Sequence, residues 1–97
     1  MTKYQALFQE MLRENEILLK KFRNIHDKYV EHPEIWQTEF NAIGSEVVDL
    51  IRIYEKKLCG KSESGQYGKF SGGLSDKFWG AIRLIFPKID FVGVRIS

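Results

Sequence analysis

The side chains best suited to chemistry crowd into one stretch. Between Gly60 and Gly80 lie six of the eight glycines, interleaved with Lys61, Tyr67, Lys69, Phe70, Lys77, Phe78 and Trp79. Such a mixture suits noncovalent binding: ammonium groups meet anions, ring faces stack on flat groups, and glycine lets the backbone come close. Lys61, Tyr67 and Lys69 fall in its polar part and are the expected exposed binding residues. Phe70, Phe78 and Trp79 are expected to turn inward and pin the segment to the rest of the protein.

Covalent, phosphate-loop and metal chemistry find less support. Gly60-Lys61-Ser62 matches the end of a phosphate-binding P-loop, but the motif needs glycine five residues before its Gly-Lys pair, a preceding strand and a following helix. Glu55 occupies that place, at the end of a helical pattern. Gly65, Gly68, Gly72 and Gly73 do not reproduce the Gly-x-Gly-x-x-Gly spacing of a dinucleotide turn. His26 and His32, the only histidines, are six apart and astride a helix end, so they do not share a face as ligands at i and i+4 would; both are expected on helix surface or loop. Cys59 has no histidine nearby in sequence to act as base. Glu10, Glu14, Glu16, Glu39 and Glu46 lie off the apolar stripes and form a solvated face. No catalytic, metal-binding or cofactor-binding residue is expected, and the chain reads as a non-enzyme.

The elements that must position the glycine-rich stretch are helices. Tyr4, Phe8, Met11, Leu18, Phe22, Ile25 and Tyr29 alternate at four and three, with Asn15 in the one gap. This is the seam spacing of a coiled coil and predicts a helix over about 2–31. Thr2 and Gln5 have the spacing of a capping box at its start. Asn15 either faces a polar group across the seam or marks a bend open to solvent. His32-Pro33 ends the helix, since the residue before proline avoids helical angles and proline is comfortable at a first helical position.

Trp36, Phe40, Ile43, Val47, Leu50 and Tyr54 repeat the alternation and predict a second helix over about 33–59, folded back on the first as an antiparallel hairpin. Gly44, mid-helix, implies that another backbone or a bulky side chain approaches closely. A loop is expected over about 60–74, a third helix over about 75–86 with Ser75 as N-cap, and an extended tail over 88–97. The fold class is all-α: a long antiparallel helical hairpin, a shorter third helix and a short extended C-terminal segment, in one domain, 1–97.

Length and charge frame the function. At 97 residues, 43% hydrophobic and 29% charged, the composition is that of a globular domain. Residues 1–55 hold 7 Lys and Arg against 10 Asp and Glu, net −3; residues 56–97 hold 8 against 3, net +5, which together give the chain's +2. A basic, glycine-bearing second half favours an anionic partner. One cysteine suits a reducing compartment, and no run reaches the ~18 apolar residues of a membrane span, so a cytoplasmic location is expected. A third helix of ~18 Å covers less than half of a hairpin of ~40 Å, leaving apolar surface that predicts a homodimer or higher homo-oligomer. The expected function is a self-associating helical protein–protein interaction module whose 60–80 region recognises an acidic protein. The alternative is binding of nucleic acid or a nucleotide by the same region.

Overall fold

Residues 2–59 and 68–93 are described by the structure, a computed structural model, and among them every regular element is helical. The fold is all-α, with helices α1 (Lys3–Glu14), α2 (Glu16–Glu31), α3 (Pro33–Cys59) and α4 (Gly68–Ile85), then a 3-10 turn at Ile89–Phe91.

The first helix starts as its sequence dictates. Thr2 Oγ1 accepts from the Gln5 N–H at 3.3 Å, and the Thr2 N–H donates to Gln5 Oε1 at 3.0 Å, a reciprocal capping box. The single helix expected over 2–31 is instead broken at Asn15, whose backbone opens to φ −126° and ψ 33°. Its side-chain amide donates to the Met11 carbonyl at 3.0 Å, competing with the helical ladder, and also to Tyr54 Oη at 3.5 Å. Side-chain bonds to a carbonyl one turn back bend helices. Tyr54 Oη donates in turn to Glu14 at 2.7 Å. Asn15 therefore combines both expected roles, a bend and a polar partner across the seam. The Glu14 bond and burial together hold the Tyr54 phenol above its ordinary pKa of 10.0.

His32 ends α2 and Pro33 opens α3, whose first turn is capped when the His32 carbonyl accepts from the Trp36 N–H at 3.1 Å. The 27 residues of α3 run ~40 Å, close to the molecule's longest dimension of 43 Å. Contacts along α2 and α3 run in opposite senses. Tyr29 stacks on Phe40 with centroids 4.0 Å apart and donates to Gln37 at 2.9 Å, while Asn15 reaches Tyr54 at the far end. Phe22, Phe40, Val47 and Ile51 have no solvent exposure. Burying each such side chain contributes about 1.5 to 3 kcal/mol relative to exposure.

The buried line differs from the sequence stripes by part of a turn. Leu19, Phe22, His26 and Tyr29 on α2 and Phe40, Val47, Ile51, Tyr54 and Leu58 on α3 are buried, whereas Leu18, Ile25, Trp36, Ile43 and Leu50 are only partly so. The rotation follows from what covers the hairpin. Helix α4 and the segment after it lie on one side, drawing the core towards them through Phe78, Ile82, Phe86 and Ile89.

His26 shows the effect most clearly, and corrects its expected place on the surface. Only 2% exposed, its ring packs among Phe22, Phe40 and Phe86, with centroids 5.6 to 6.1 Å away. The Lys88 N–H donates to Nε2 at 3.2 Å, and an amide can only donate, so Nε2 is unprotonated and Nδ1 carries the hydrogen. Nδ1 faces Asp27 Oδ1 at 3.3 Å. Burial lowers the pKa below the ordinary 6.5, aided by Arg23 and Lys88 and opposed by Asp27.

Residues after Pro87 form a strap, not the extended tail expected over 88–97: Ile89–Phe91 is a 3-10 turn, and 94–97 lie outside the described residues. Besides the His26 bond, Gln37 Nε2 donates to the Phe91 carbonyl at 3.5 Å and the Gly93 N–H donates to Asn41 Oδ1 at 2.7 Å. Gly93 takes φ 91°, a left-handed conformation that suits glycine. Gly44 supplies the close approach its sequence implies. A Cβ there would lie 2.6 and 2.9 Å from the two Val92 methyls and 3.3 Å from Phe22.

Candidate interaction surface

Helix α4 carries the second half of the glycine-rich stretch and begins seven residues before the expected Ser75. Gly72, Gly73 and Gly80, inside the helix, each cost it about 1 kcal/mol against alanine, so tertiary contacts must outweigh them. Those contacts converge on Glu55. Ser75 Oγ and Trp79 Nε1 both donate to Glu55 Oε2, the latter at 3.0 Å, so the serine hydroxyl bonds across to α3 and does not cap its own helix. Phe78, fully buried, meets Phe8 edge to face at 6.3 Å. Arg23 lies over the Phe86 ring at 5.1 Å. The expected inward placement holds for Phe78 fully and for Trp79 in part; their anchor is Glu55, which in the sequence stands out only as the wrong residue for a P-loop.

Anchoring one face of α4 turns the opposite one outward. Gly73, Lys77, Gly80 and Leu84 follow at intervals of four, three and four, the repeat of one helical stripe. Lys77 is exposed and Leu84 is 85% exposed, and a Cβ built on Gly73 or Gly80 would meet nothing within 4 Å. The nearest cation outside the stripe is engaged: Arg83 pairs with Asp90 through bonds of 2.8 and 3.2 Å, which raises its pKa.

Of the three sequence-predicted binding residues, Lys69 falls in α4 where a loop was expected, while Lys61 and Tyr67 lie outside the described residues. No protein family, curated protein or solved structure matches the chain. Large apolar side chains stand in solvent elsewhere too: Ile17 is 86% exposed, Ile35 65% and Ile53 55%. Among the described residues no helix is long and apolar enough to cross a membrane.

Proposed function

We propose that this chain is a non-enzymatic helical protein–protein interaction module that self-associates through its hairpin and presents the outer face of α4 to a protein with an acidic surface. The observation that carries the reading is the exposure of large aliphatic side chains on a small domain, with Leu84 at 85% and Ile17 at 86%, although the chain buries a well-filled aromatic core. Leaving such groups in water forgoes about 25 cal/mol per Å² of burial, which an association recovers. Exposed Lys77, two turns before Leu84 on the same face, favours an acidic partner over a basic one. The open positions at Gly73 and Gly80 let a partner approach the helix backbone.

The test pairs Lys77→Glu with Leu84→Glu. Both positions are exposed, so the melting temperature should stay within about 2 °C of the parent. Co-purification of an acidic protein with the parent and its loss from the variant supports the reading. Capture of nucleic acid instead, weakening steeply between ~50 and ~200 mM salt, would replace it with phosphate binding.

A further inference from the structure

The side of the hairpin turned away from α4 and the strap carries a matching pattern of shape and charge. Gln37, Asn41, Gly44 and Glu55 on α3, with Arg23 and His26 on α2, all contact α4 or the strap, which fixes the direction of the covered side. Residues on the other flank are Leu18 and Ile25 on α2 and Trp36, Ile43 and Leu50 on α3, all partly buried and each row spaced by seven. A spacing of seven keeps a row in line along a helix packed against another. The molecule is 18 Å deep in its thinnest direction, enough for two helix layers at 8–10 Å separation and no third.

Charge borders this apolar strip differently on its two edges. Lys21 and Lys28, one heptad apart, edge α2; Glu39 and Glu46, also one heptad apart, edge α3, and all four are exposed. Neither glutamate is in an ion pair among the described residues. Lys28 already leans across the strip, its ammonium 4.7 Å from the Trp36 ring centre.

From these observations we infer that the uncovered strip is the surface on which two copies of this chain pair, about a two-fold axis running along the hairpin, so that α2 of each copy lies over α3 of the other. The inference rests on the self-association part of the proposed function and supplies its geometry. Register decides between the two ways of stacking hairpins face to face. Tyr29 lies beside Gln37 and Asn15 beside Tyr54, so Lys28 is level with Glu39 and Lys21 with Glu46. An axis along the hairpin keeps those levels, and brings Lys28 and Lys21 of one copy onto Glu39 and Glu46 of the other. An axis across the hairpin would set lysine on lysine and glutamate on glutamate, which like-charge repulsion disfavours. The same operation puts Ile53, 55% exposed, level with the hollow of about 580 Å³ that the Asn15 kink opens between Arg13, Ile17, Leu18 and Lys21 of the other copy.

Sedimentation equilibrium tests the arrangement through charge reversal. The parent is expected to be a dimer, and Lys21→Glu with Lys28→Glu, or Glu39→Lys with Glu46→Lys, should each weaken it roughly tenfold or more. Combining all four reversals in one chain should restore the parent affinity, because each edge again meets its opposite. In mixed-labelled parent protein, isotope-filtered spectra should show Ile25 methyls of one copy against Ile43 of the other, a check that needs no variant to fold. A parent that stays monomeric at ~100 μM overturns both this inference and self-association. A dimer indifferent to either reversal, or one that the fourfold variant does not rescue, leaves self-association standing and overturns the pairing described here.

Discussion

On one side of the α2–α3 hairpin, His26, Gln37, Asn41 and Gly44 are each met by a group of the strap, and Glu55 takes two donors from α4. On the other, Leu18, Ile25, Trp36, Ile43 and Leu50 keep part of their surface in water behind a border of lysine and glutamate. Both sides arise from the same alternation of four and three along two helices. The difference lies in the polar residues: the covered side places short acceptors and donors where backbone groups of the strap arrive, whereas the uncovered side carries long charged side chains that water satisfies in the single chain. Apolar spacing marks where helices can pack, and the accompanying polar groups show which segment does so.

The contrast can be broken at matched positions. Ile51→Ala, on the covered side, should cost about 2 to 5 kcal/mol, the usual range for emptying a buried site. Ile43→Ala should cost the dissociated chain about half of that or less, since its side chain is already partly wet. Urea unfolding at a concentration low enough to hold the chains apart measures both, and equal losses would show that the two sides are equally packed.

Gly44→Ala isolates the strap. The added methyl falls within 3 Å of both Val92 methyls, so the strap must shift, at about 1 to 3 kcal/mol for overpacking. Hydrogen exchange should then speed up at the Gly93 amide, which donates to Asn41, more than at amides in the middle of α3. Uniform acceleration would mean that strap and hairpin unfold as one unit.

The smallest and most gradual effect is on pH. Folded His26 titrates below 6.5 and the unfolded chain near 6.5, so between those values the unfolded state holds more protons. Stability from neutral His26 is complete above about pH 6.5 and is lost as pH falls through the folded value. The charged groups around the ring are Arg23 and Asp27 on its own helix and Lys88 on the strap. His26→Gln keeps an acceptor for the Lys88 amide without titrating and should flatten the slope. An unchanged slope in that variant would assign the pH dependence to carboxylates elsewhere.

Much of the frame was legible in the residues, and the exceptions share a cause. Capping at Thr2 and Gln5, the turn at His32-Pro33 and the crowding at Gly44 all follow from local chemistry that tertiary contacts leave intact. The break at Asn15 was visible as a polar gap, but its amide bond to Met11 depends on side-chain direction, which spacing does not encode. Serine suits an N-cap and glycine suits a loop, which points to a helix start at Ser75. Glu55, twenty residues earlier, draws the serine hydroxyl sideways and lets the helix continue back to Gly68. His26 looked like a surface residue because its apolar neighbours Phe40 and Phe86 come from other parts of the chain. Of the candidate site, Lys69 falls within α4, and Lys61 and Tyr67 lie outside the described residues, so spacing locates the segment without fixing which of its side chains face a partner.

Val92 reaches the notch at Gly44 from 48 positions downstream, whereas Tyr29 and Gln37 are 8 apart. Closing the longer loop costs about 1.6 kcal/mol more in chain entropy, so the hairpin zips first and the notch is filled last. On a ribosome adding ~5 to 20 residues per second, those 48 residues take on the order of 2 to 10 s to appear. Within that interval α3 is completed at Cys59 and α4 at Ile85, so the notch at Gly44 is the part of the covered side that stays open longest.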